Sequence, residues 1–293
     1  MYEENQPLVS VVIPCYNHEN FVQDCIQSVI DQTYQNIELI VIDDGSKDSS
    51  VMKIQELVAK CKNRFIRFEF RNRQNKGLSP TLNEALEWCE GEYYSAIASD
   101  DMMLPEKIII QINYMIKNKK CNALFGGYKL IDNFNFVISD QKKENKIYSF
   151  NEILLHKHDL PAPTQLMRMD SLKSIGGYNS EVIIEDWYMW LKLSKIGEIH
   201  YISEYLSLYR YHLNNLSKKT EIMNIGRNQV LDEYKSEKLY VTAKREIDWI
   251  YLREINKNNT KYFLVNFLVF CLKNPIFLMK KIINKLFDFS KVG

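Results

Sequence analysis

Hydrophobic positions in the first third of the chain follow two periods. Mostly apolar runs at 9–13, 37–42 and 93–98 are typical of buried strands, and apolar and polar residues alternate at 66–70 as in a further strand. Between these runs, apolar residues recur every three or four positions, for example at 82–89, which predicts helices facing a sheet. Strands that alternate with helices predict an α/β fold with a mostly parallel central sheet flanked by helices.

The pattern becomes less regular in the second third of the chain. A helix is expected from 105 and a strand at 123–131, whereas 132–158 is polar and reads as a loop with short elements. A helix near 185 and a strand at 201–211 follow. We therefore expect one compact domain over 1–220, divided at about residue 101 into halves of 8–101 and 102–220, and a helical C-terminal region over 221–293.

Composition argues against a nucleic-acid-binding protein and against a secreted one. The chain has 293 residues, 46% of them hydrophobic, and a formal net charge of +1, which gives no general signal for nucleic-acid binding. Its six cysteines are scattered singly, without a C-x-x-C pair and without a secretory signal ahead of them. These features predict a protein of the reducing cytoplasm.

Two pairs of adjacent carboxylates stand where predicted strands end. Asp43-Asp44 follows the strand at 37–42, and Asp100-Asp101 follows the strand at 93–98. The carboxyl ends of strands in an open α/β sheet face the ligand crevice, and carboxylate oxygens bind hard divalent cations. The second pair therefore predicts a metal-assisted diphosphate site. The alternative for both pairs is structural, because Asp also favours turns and helix caps.

The end of the chain combines basic and bulky apolar residues. Between 261 and 293 there are six lysines and one aspartate, interleaved with apolar groups. This composition suits a helix lying in the interface of an anionic membrane, and neither side of the Asn274-Pro275 break reaches the roughly 20 apolar residues of a spanning helix. The alternative is a helical hairpin that packs on the catalytic domain or on a partner subunit.

Five short motifs in a fixed order resemble one known family. They are VSVVIPCYN at 9–17, IDDGS at 42–46, NKG at 75–77, SDD at 99–101 and EDW at 185–187. Together they resemble the family 2 inverting glycosyltransferases of GT-A fold, a Rossmann-like α/β architecture. The resemblance covers about residues 8 to 217 and leaves out the C-terminal region. It implies that 8–101 binds the nucleotide and 102–220 the acceptor.

The resemblance implies roles on the nucleotide side. Asp44 accepts the imide hydrogen of uracil, while Pro14 and Tyr16 contact the nucleoside. A buried carboxylate discriminates against bases without a donor at that place, because an unpaired buried partner costs about 1 to 3 kcal/mol. A UDP-linked donor is therefore expected. Lys76 is expected near the diphosphate, although a solvated loop lysine is the structural alternative.

The resemblance also implies a metal centre. Asp101 is expected to coordinate Mn²⁺ or Mg²⁺ that bridges the donor phosphates, with Asp100 on ribose or sugar hydroxyls. His212, in the sequence YRYH at 209–212, is expected as a further metal ligand, and an imidazole ligand would favour Mn²⁺. For His212 a surface or core position is the alternative. The other four histidines show no metal-binding spacing and receive no role.

On the acceptor side, the resemblance points to the acids at the start of a helix. Asp186 is expected to be the general base that takes the proton of the acceptor hydroxyl, and Glu185 is expected beside the nucleotide sugar. The structural alternative is that these acids stabilise the helix N-terminus. The Q-x-x-R-W motif of polymerising relatives is absent from the sequence, so we expect one sugar to be transferred per encounter.

These expectations converge on one function. The chain is expected to transfer a sugar from a UDP-sugar, with inversion, to a hydroxyl of a saccharide acceptor. The basic apolar tail favours a lipid-linked acceptor and peripheral contact of 261–293 with the inner face of the cytoplasmic membrane, as in bacterial surface polysaccharide synthesis. The alternative is a non-catalytic protein that binds carbohydrate or nucleotide sugar on a degenerate GT-A fold.

Overall fold

The computed structural model describes residues 6–212, 215–256 and 260–279, which fall into two compact units. The first unit comprises Met1–Ile153 and His158–Asn215, and the second comprises Leu154–Lys157 and Leu216–Gly293.

Ten strands of the described residues form a single sheet. They are β1 (Val9–Cys15), β2 (Ile37–Asp43), β3 (Arg67–Asn72), β4 (Tyr93–Ala96), β5 (Met102–Met103), β6 (Cys121–Ile131), β7 (Val137–Gln141), β8 (Lys146–Tyr148), β9 (Leu166–Arg168) and β10 (Glu198–Arg210). The main strand order is β3-β2-β1-β4-β9-β6-β10-β5, with β7 paired to β6 and β8 paired to β10. The pairs β3–β2, β2–β1, β1–β4 and β6–β10 are parallel, and β9 lies antiparallel between β4 and β6.

The helices connect these strands and continue into the second unit. They are α1 (Val22–Ile30), α2 (Ser50–Arg64), α3 (Leu78–Trp88), α4 (Lys107–Lys117), α5 (Phe150–Leu154), α6 (Met169–Ser174), α7 (Glu185–Ile196), α8 (Thr220–Asp232), α9 (Tyr240–Asn256) and α10 (Thr260–Lys273). Short 3₁₀ turns cover Ala162–Thr164 and Leu216–Lys218. The expected α/β fold with a mostly parallel sheet is confirmed.

The main core lies against one face of the parallel strands. Alternate residues of β1, namely Val9, Val11 and Ile13, belong to one buried cluster with the inward residues of α1 and α4. This arrangement follows from the two periods of the sequence, because side chains alternate across a strand while a helix buries one stripe. The carboxyl ends of β1, β2 and β4 consequently meet at one edge of the sheet.

The polar stretch at 132–158 contains more regular structure than a loop. The short strand β7 pairs with β6, and β8 pairs with β10, so both extend the sheet. Every residue of β7 is exposed, and for this reason its sequence lacks the apolar alternation that predicts a half-buried strand.

The second unit is helical in its described part. The Arg227 guanidinium on α8 forms an ion pair with Glu254 on α9 at 2.7 Å, and the ring of Trp249 on α9 lies 5.7 Å from that of Phe270 on α10. In the part of the chain that the structure describes, no helix combines the length and apolar character that crossing a bilayer requires. Residues 280–293 of the basic apolar tail lie outside the described residues.

Candidate active site

The loops that follow β1 and β2 are tied together at the sheet edge. Asn17 has a φ of +54°, in the left-handed region, and its N–H donates to Ser46 Oγ at 2.8 Å. Its side-chain oxygen accepts the N–H of Lys47 at 2.8 Å, and the N–H of His18 donates to Ser50 Oγ at 2.9 Å. These bonds fix the direction in which the side chains after β1 point.

The two acids that end β2 have different surroundings. Asp43 accepts hydrogen bonds from the backbone N–H and the hydroxyl of Ser46, at 2.9 and 2.5 Å, and so closes the turn. Asp44 is buried, and its two oxygens accept the backbone N–H groups of Lys76 and Gly77, at 2.8 and 2.9 Å. Asp43 therefore fills the turn-forming role, while Asp44 joins β2 to the loop after β3.

An arginine that the sequence analysis did not single out completes this cluster. The Arg73 guanidinium contacts the Asp44 carboxylate and donates to Glu84 Oε2 and Thr81 Oγ1, both at 2.8 Å. The ammonium of Lys76 lies 3.7 Å from Glu84, and 58% of the Lys76 side chain is exposed. Arg73 is three positions before Lys76 in a polar loop, where sequence alone gives it no distinguishing pattern.

The residues expected to contact a nucleoside lie at this same edge. Pro14 pairs with Ile42 in the β1–β2 register and is half-buried. Tyr16 is 44% exposed, so its ring is available to a ligand. Pro14 at the end of β1 and Tyr16 directly after it therefore lie beside Asp44, whose N–H donates to the carbonyl oxygen of Cys15 at 2.8 Å.

The carboxylates that follow β4 point to different partners. Asp101 is buried and its Oδ1 accepts the backbone N–H of Arg210 at 2.8 Å. Asp100 Oδ2 lies 2.8 Å from His212 Nε2. Burial and the neighbouring charge of Asp100 raise the pKa of Asp101 well above its ordinary value. Burial opposes ionisation of Asp100 as well, but the hydrogen bond with His212 and the charge of His18 hold its pKa below the ordinary value.

Arg210, the last residue of β10, contacts both the loop after β4 and the turn after β6. Its side chain is fully buried and donates to the carbonyl oxygens of Asp100 and Asp132, at 2.8 and 2.7 Å, and to Asn135 Oδ1 at 2.7 Å. Its guanidinium also lies over the ring of Phe21, 4.6 Å from the centroid. A buried arginine thereby connects the end of β10 to the loop that carries the acids.

A second histidine joins the cluster. Among the described residues, one ligand atom each of His18, Asp100 and His212 lie within 4.8 Å of one another, and Asp101 is not part of this group. In the structure His212 contacts Asp100 and not Asp101. His18 received no role from the sequence, although it directly follows the strand-end motif at 9–17.

The expected acceptor side begins at a double-glycine turn. Gly176 and Gly177 have φ values of +85° and +72°, which favour glycine. The amide of Asn83 on α3 accepts the N–H of Tyr178 at 2.8 Å and donates to its carbonyl oxygen at 2.7 Å. A Cβ on Gly177 would lie 2.7 Å from Asn83 Oδ1, so a side chain would disrupt this contact.

Glu185 and Asp186 occupy the first turn of α7 and are half-buried. Asp186 Oδ1 accepts the backbone N–H of Trp187 at 2.5 Å, and the Trp187 indole donates to the carbonyl oxygen of Ile153 at 3.0 Å. Burial raises the pKa of both acids, and for Glu185 the charge of Asp186 adds to this effect. These shifts are typical of carboxylates that exchange protons near neutral pH.

Tyrosines connect this acid pair to β4. The hydroxyl of Tyr94 on β4 lies 3.3 Å from that of Tyr178. Burial, followed by the influence of Tyr178, raises the pKa of Tyr94 well above its ordinary value, and the charge of Glu185 contributes to the shift. The Tyr94–Tyr178 contact therefore joins the segment before α7 to the strand that leads to Asp100 and Asp101.

A mostly parallel sheet with carboxylates at its strand ends is the arrangement of the GT-A fold, which is found in glycosyltransferases. The model of the family "Glycosyl transferase family 2" matches residues 10–176. The chain belongs to this family.

Relatives of this chain are described as glycosyltransferases. An uncharacterized glycosyltransferase of Rickettsia typhi is 32% identical over 282 residues, which cover 92% of this chain and 81% of that protein. The chain spans only 36% of the length of another relative, an uncharacterized glycosyltransferase of Rickettsia felis.

Solved structures share the fold. S. aureus TarS 1-349 in complex with UDP-GlcNAc has a TM-score of 0.64 at 17% identity, over 87% of this chain and 74% of that chain. The mannosyltransferase PcManGT from Pyrobaculum calidifontis, in complex with GDP-Man and Mn²⁺, has a TM-score of 0.66 at 12% identity, over 93% of this chain and 76% of that chain.

Proposed function

We propose that this chain transfers a single sugar from a UDP-linked donor to a hydroxyl group of a saccharide acceptor, with inversion at the anomeric carbon. The observation that carries the proposal is the pairing of Asp100 with His212 at the carboxyl end of β4, at the sheet edge that also holds Asp44. A second acid pair, Glu185 and Asp186, is half-buried at the start of α7, and Tyr178, eight residues before Asp186, contacts Tyr94 on the same strand. Asp44, Asp100 and His212 are thus assigned to the donor, and the acid pair at the start of α7 is assigned to the acceptor.

Recognition of the donor base is assigned to the loops after β1 and β2. The Asp44 carboxylate accepts the two backbone N–H groups and the Arg73 guanidinium, which leaves one of its about four acceptor positions for the imide hydrogen of uracil. Pro14 and Tyr16 supply contact surface for the nucleoside. The exposed ammonium of Lys76 balances part of the diphosphate charge.

The donor set beside the diphosphate position fits a divalent cation. Asp100 supplies a carboxylate oxygen and His212 an imidazole nitrogen, a combination suited to Mn²⁺ and acceptable for Mg²⁺. Because Asp100, and not Asp101, groups with two histidine nitrogens within 4.8 Å, we assign the metal-ligand role to Asp100 in place of Asp101. When bound, the ion neutralises charge that develops on the leaving diphosphate.

The general base is Asp186. An inverting displacement needs a carboxylate opposite the leaving group to take the acceptor hydroxyl proton while the new bond to the anomeric carbon forms. Burial raises the pKa of Asp186, which makes its carboxylate a stronger base than an exposed aspartate. Glu185, next to the general base Asp186, is assigned to bind the donor sugar.

The acceptor is a lipid-linked saccharide, in the assembly of bacterial surface polysaccharide such as O-antigen or capsule, at the cytoplasmic face of the membrane. Support comes from α10, where Leu264, Leu268 and Leu272 recur at intervals of four on one side and are 52%, 62% and 83% exposed. Six lysines lie between 261 and 293. Basic and apolar groups together favour an anionic membrane interface.

Membrane contact is tested by sedimentation of the full chain with vesicles. Binding to phosphatidylglycerol vesicles and not to phosphatidylcholine vesicles is expected, together with weaker binding of the Leu268→Glu and Leu272→Glu variants. Equal recovery of all proteins in the supernatant would remove the membrane part of the proposal and leave the transferase part intact.

Catalysis is tested with a panel of nucleotide sugars. Thermal-shift measurements with Mn²⁺ or Mg²⁺ should show stabilisation by UDP-linked donors above that by GDP- or CDP-linked donors, because stabilisation follows affinity. With the selected donor, Asp186→Asn should bind UDP normally and lose transfer by a factor of at least about 10². The control is Glu181→Gln, an exposed acid four residues before Glu185.

The same variants separate the transferase from a non-catalytic binding protein. Donor binding without turnover by the wild type, on every saccharide acceptor and lipid extract offered, would favour the binding protein. Normal turnover by Asp186→Asn would reassign the base.

A further inference from the structure

His18 is held in a defined orientation beside the acid pair. Its backbone N–H donates to Ser50 Oγ at 2.9 Å, and its carbonyl oxygen accepts the N–H groups of Phe21 and Val22 at 3.0 and 2.9 Å. The His18 imidazole is therefore fixed at its base by the start of α1. Its Nδ1 atom lies 2.7 Å from Ser99 Oγ.

The Ser99 contact determines which ring nitrogen faces Asp100. When Nδ1–H donates to Ser99 Oγ, the Nε2 atom carries the lone pair, and Nε2 lies 3.9 Å from Asp100 Oδ2. A hydrogen bond that orients the far nitrogen of an imidazole is the usual support of a metal-binding histidine. Ser99 is therefore placed as a supporting residue for Nε2.

The three candidate donor atoms lie close to the spacing of ligands to one ion. Asp100 Oδ2 lies 2.8 Å from His212 Nε2 and 3.9 Å from His18 Nε2, and the whole group falls within 4.8 Å. Ligands at about 2.0 to 2.2 Å from a common ion are separated by about 3 to 4.4 Å, so the hydrogen-bonded pair Asp100–His212 opens slightly when an ion replaces the proton between them. The two imidazole centroids are 6.0 Å apart, with ring planes at 81°, so both rings can direct a nitrogen to one point.

An apolar wall lies behind the two imidazoles. The ring of Phe21 stacks on His212 with centroids 5.6 Å apart, and it meets His18 edge-on at 6.1 Å. The Arg210 guanidinium lies over the same ring. This packing limits rotation of both histidines and keeps their nitrogens directed towards Asp100.

We propose that His18 is a third protein ligand of the metal, so that the site consists of two imidazoles and one carboxylate. This inference rests on the metal centre of the proposed function and specifies which side chains bind the metal. Two nitrogen ligands favour Mn²⁺, Fe²⁺, Co²⁺ or Zn²⁺ over Mg²⁺, which prefers oxygen ligands and retains its waters. The protein consequently discriminates against Mg²⁺ before any nucleotide binds.

The test measures metal binding by the chelator-treated full chain without nucleotide. Titration of Mn²⁺, followed by the electron paramagnetic resonance signal of the free ion, should show one bound ion that a hundredfold excess of Mg²⁺ fails to displace. His18→Gln should weaken Mn²⁺ binding at least tenfold, and Ser99→Ala should weaken it by about tenfold through lost orientation. His156→Gln, a histidine outside the cluster, should bind as the wild type does.

Nitrogen ligands are counted directly by pulsed electron paramagnetic resonance on the Mn²⁺-loaded protein. Two imidazole nitrogens in the wild type and one in His18→Gln support the inference, provided that the metal-free proteins melt at the same temperature. An unchanged nitrogen count and affinity in His18→Gln, with loss of binding in His212→Gln, would overturn the role of His18 and leave the proposed metal centre standing. Absence of Mn²⁺ binding by the wild type would overturn both.

Discussion

The buried amine of Lys107 leads to a quantitative prediction about stability. Lys107 is fully buried at the start of α4, and its Nζ lies 2.7 Å from Ser95 Oγ on β4 and 3.0 Å from the carbonyl oxygen of Gln165. Burial lowers the pKa of Lys107 from its ordinary value of 10.5 to about 7. Above pH 7, therefore, the amine is neutral in the folded chain and protonated in the unfolded chain.

The sign and size of the effect follow from this difference in bound protons. Between pH 7 and 10.5 the unfolded state binds the additional proton, so the free energy of unfolding rises with pH by up to about 1.4 kcal/mol per unit. From pH 7 to 8.5 the gain is about 1.6 kcal/mol, because the folded amine is itself half protonated at pH 7. The Lys107→Met variant lacks this contribution.

The assay is urea unfolding of the full chain at pH 7 and pH 8.5, followed by tryptophan fluorescence. The stability of the wild type relative to Lys107→Met should increase by about 1.6 kcal/mol between the two pH values. The control is Lys117→Met on the same helix, where the lysine is exposed and the difference from wild type should not change with pH. Equal pH dependence of the wild type and Lys107→Met would refute the reasoning.

Three further predictions concern the candidate site. Arg210→Met leaves the buried carbonyl oxygen of Asp100 without its donor and removes the bonds to Asp132 and Asn135, so we expect a loss of about 1 to 3 kcal/mol in urea unfolding and weaker Mn²⁺ binding. Wild-type stability of this variant would contradict the anchoring role. Gly177→Ala combines a φ of +72° with a close contact to Asn83, and should lower stability by about 1 to 3 kcal/mol, whereas Gly176→Ala meets no atom within 4 Å and should cost less. Because burial raises the pKa of Asp186, kcat/KM should fall on acidification with a midpoint clearly above 3.8, and a profile flat down to pH 5 would argue against this base.

Much of the fold follows from periodicity in the sequence. The runs at 9–13 and 37–42 are apolar apart from Ser10 and Glu38, and all their residues are buried, as β1 and β2 require in a parallel sheet covered by helices. The short edge strands β7 and β8 were not distinguished from loop, because most of their residues are exposed and carry no alternating pattern. The antiparallel position of β9 between β4 and β6 depends on tertiary pairing, which no local pattern encodes.

The sequence motifs indicated which segments form the candidate site, but they did not indicate which side chains contact one another there. Adjacent acids such as Asp100 and Asp101 look equivalent in the sequence, but their partners differ because the end of β10 occupies one side of the loop. The contributions of His18 and Arg73 arise from loops that meet at one sheet edge after folding. No spacing between His18 and His212 along the chain indicates their proximity.

The most direct test of the central claim is calorimetric titration of UDP into the full chain, with Mn²⁺ and with a chelator. We expect Mn²⁺ to tighten UDP binding at least tenfold in the wild type and in Asp101→Asn, and to have no such effect in Asp100→Asn. UDP affinity that is equal with Mn²⁺ and with chelator in the wild type, or a Mn²⁺ effect that survives in Asp100→Asn and is lost in Asp101→Asn, would contradict the account.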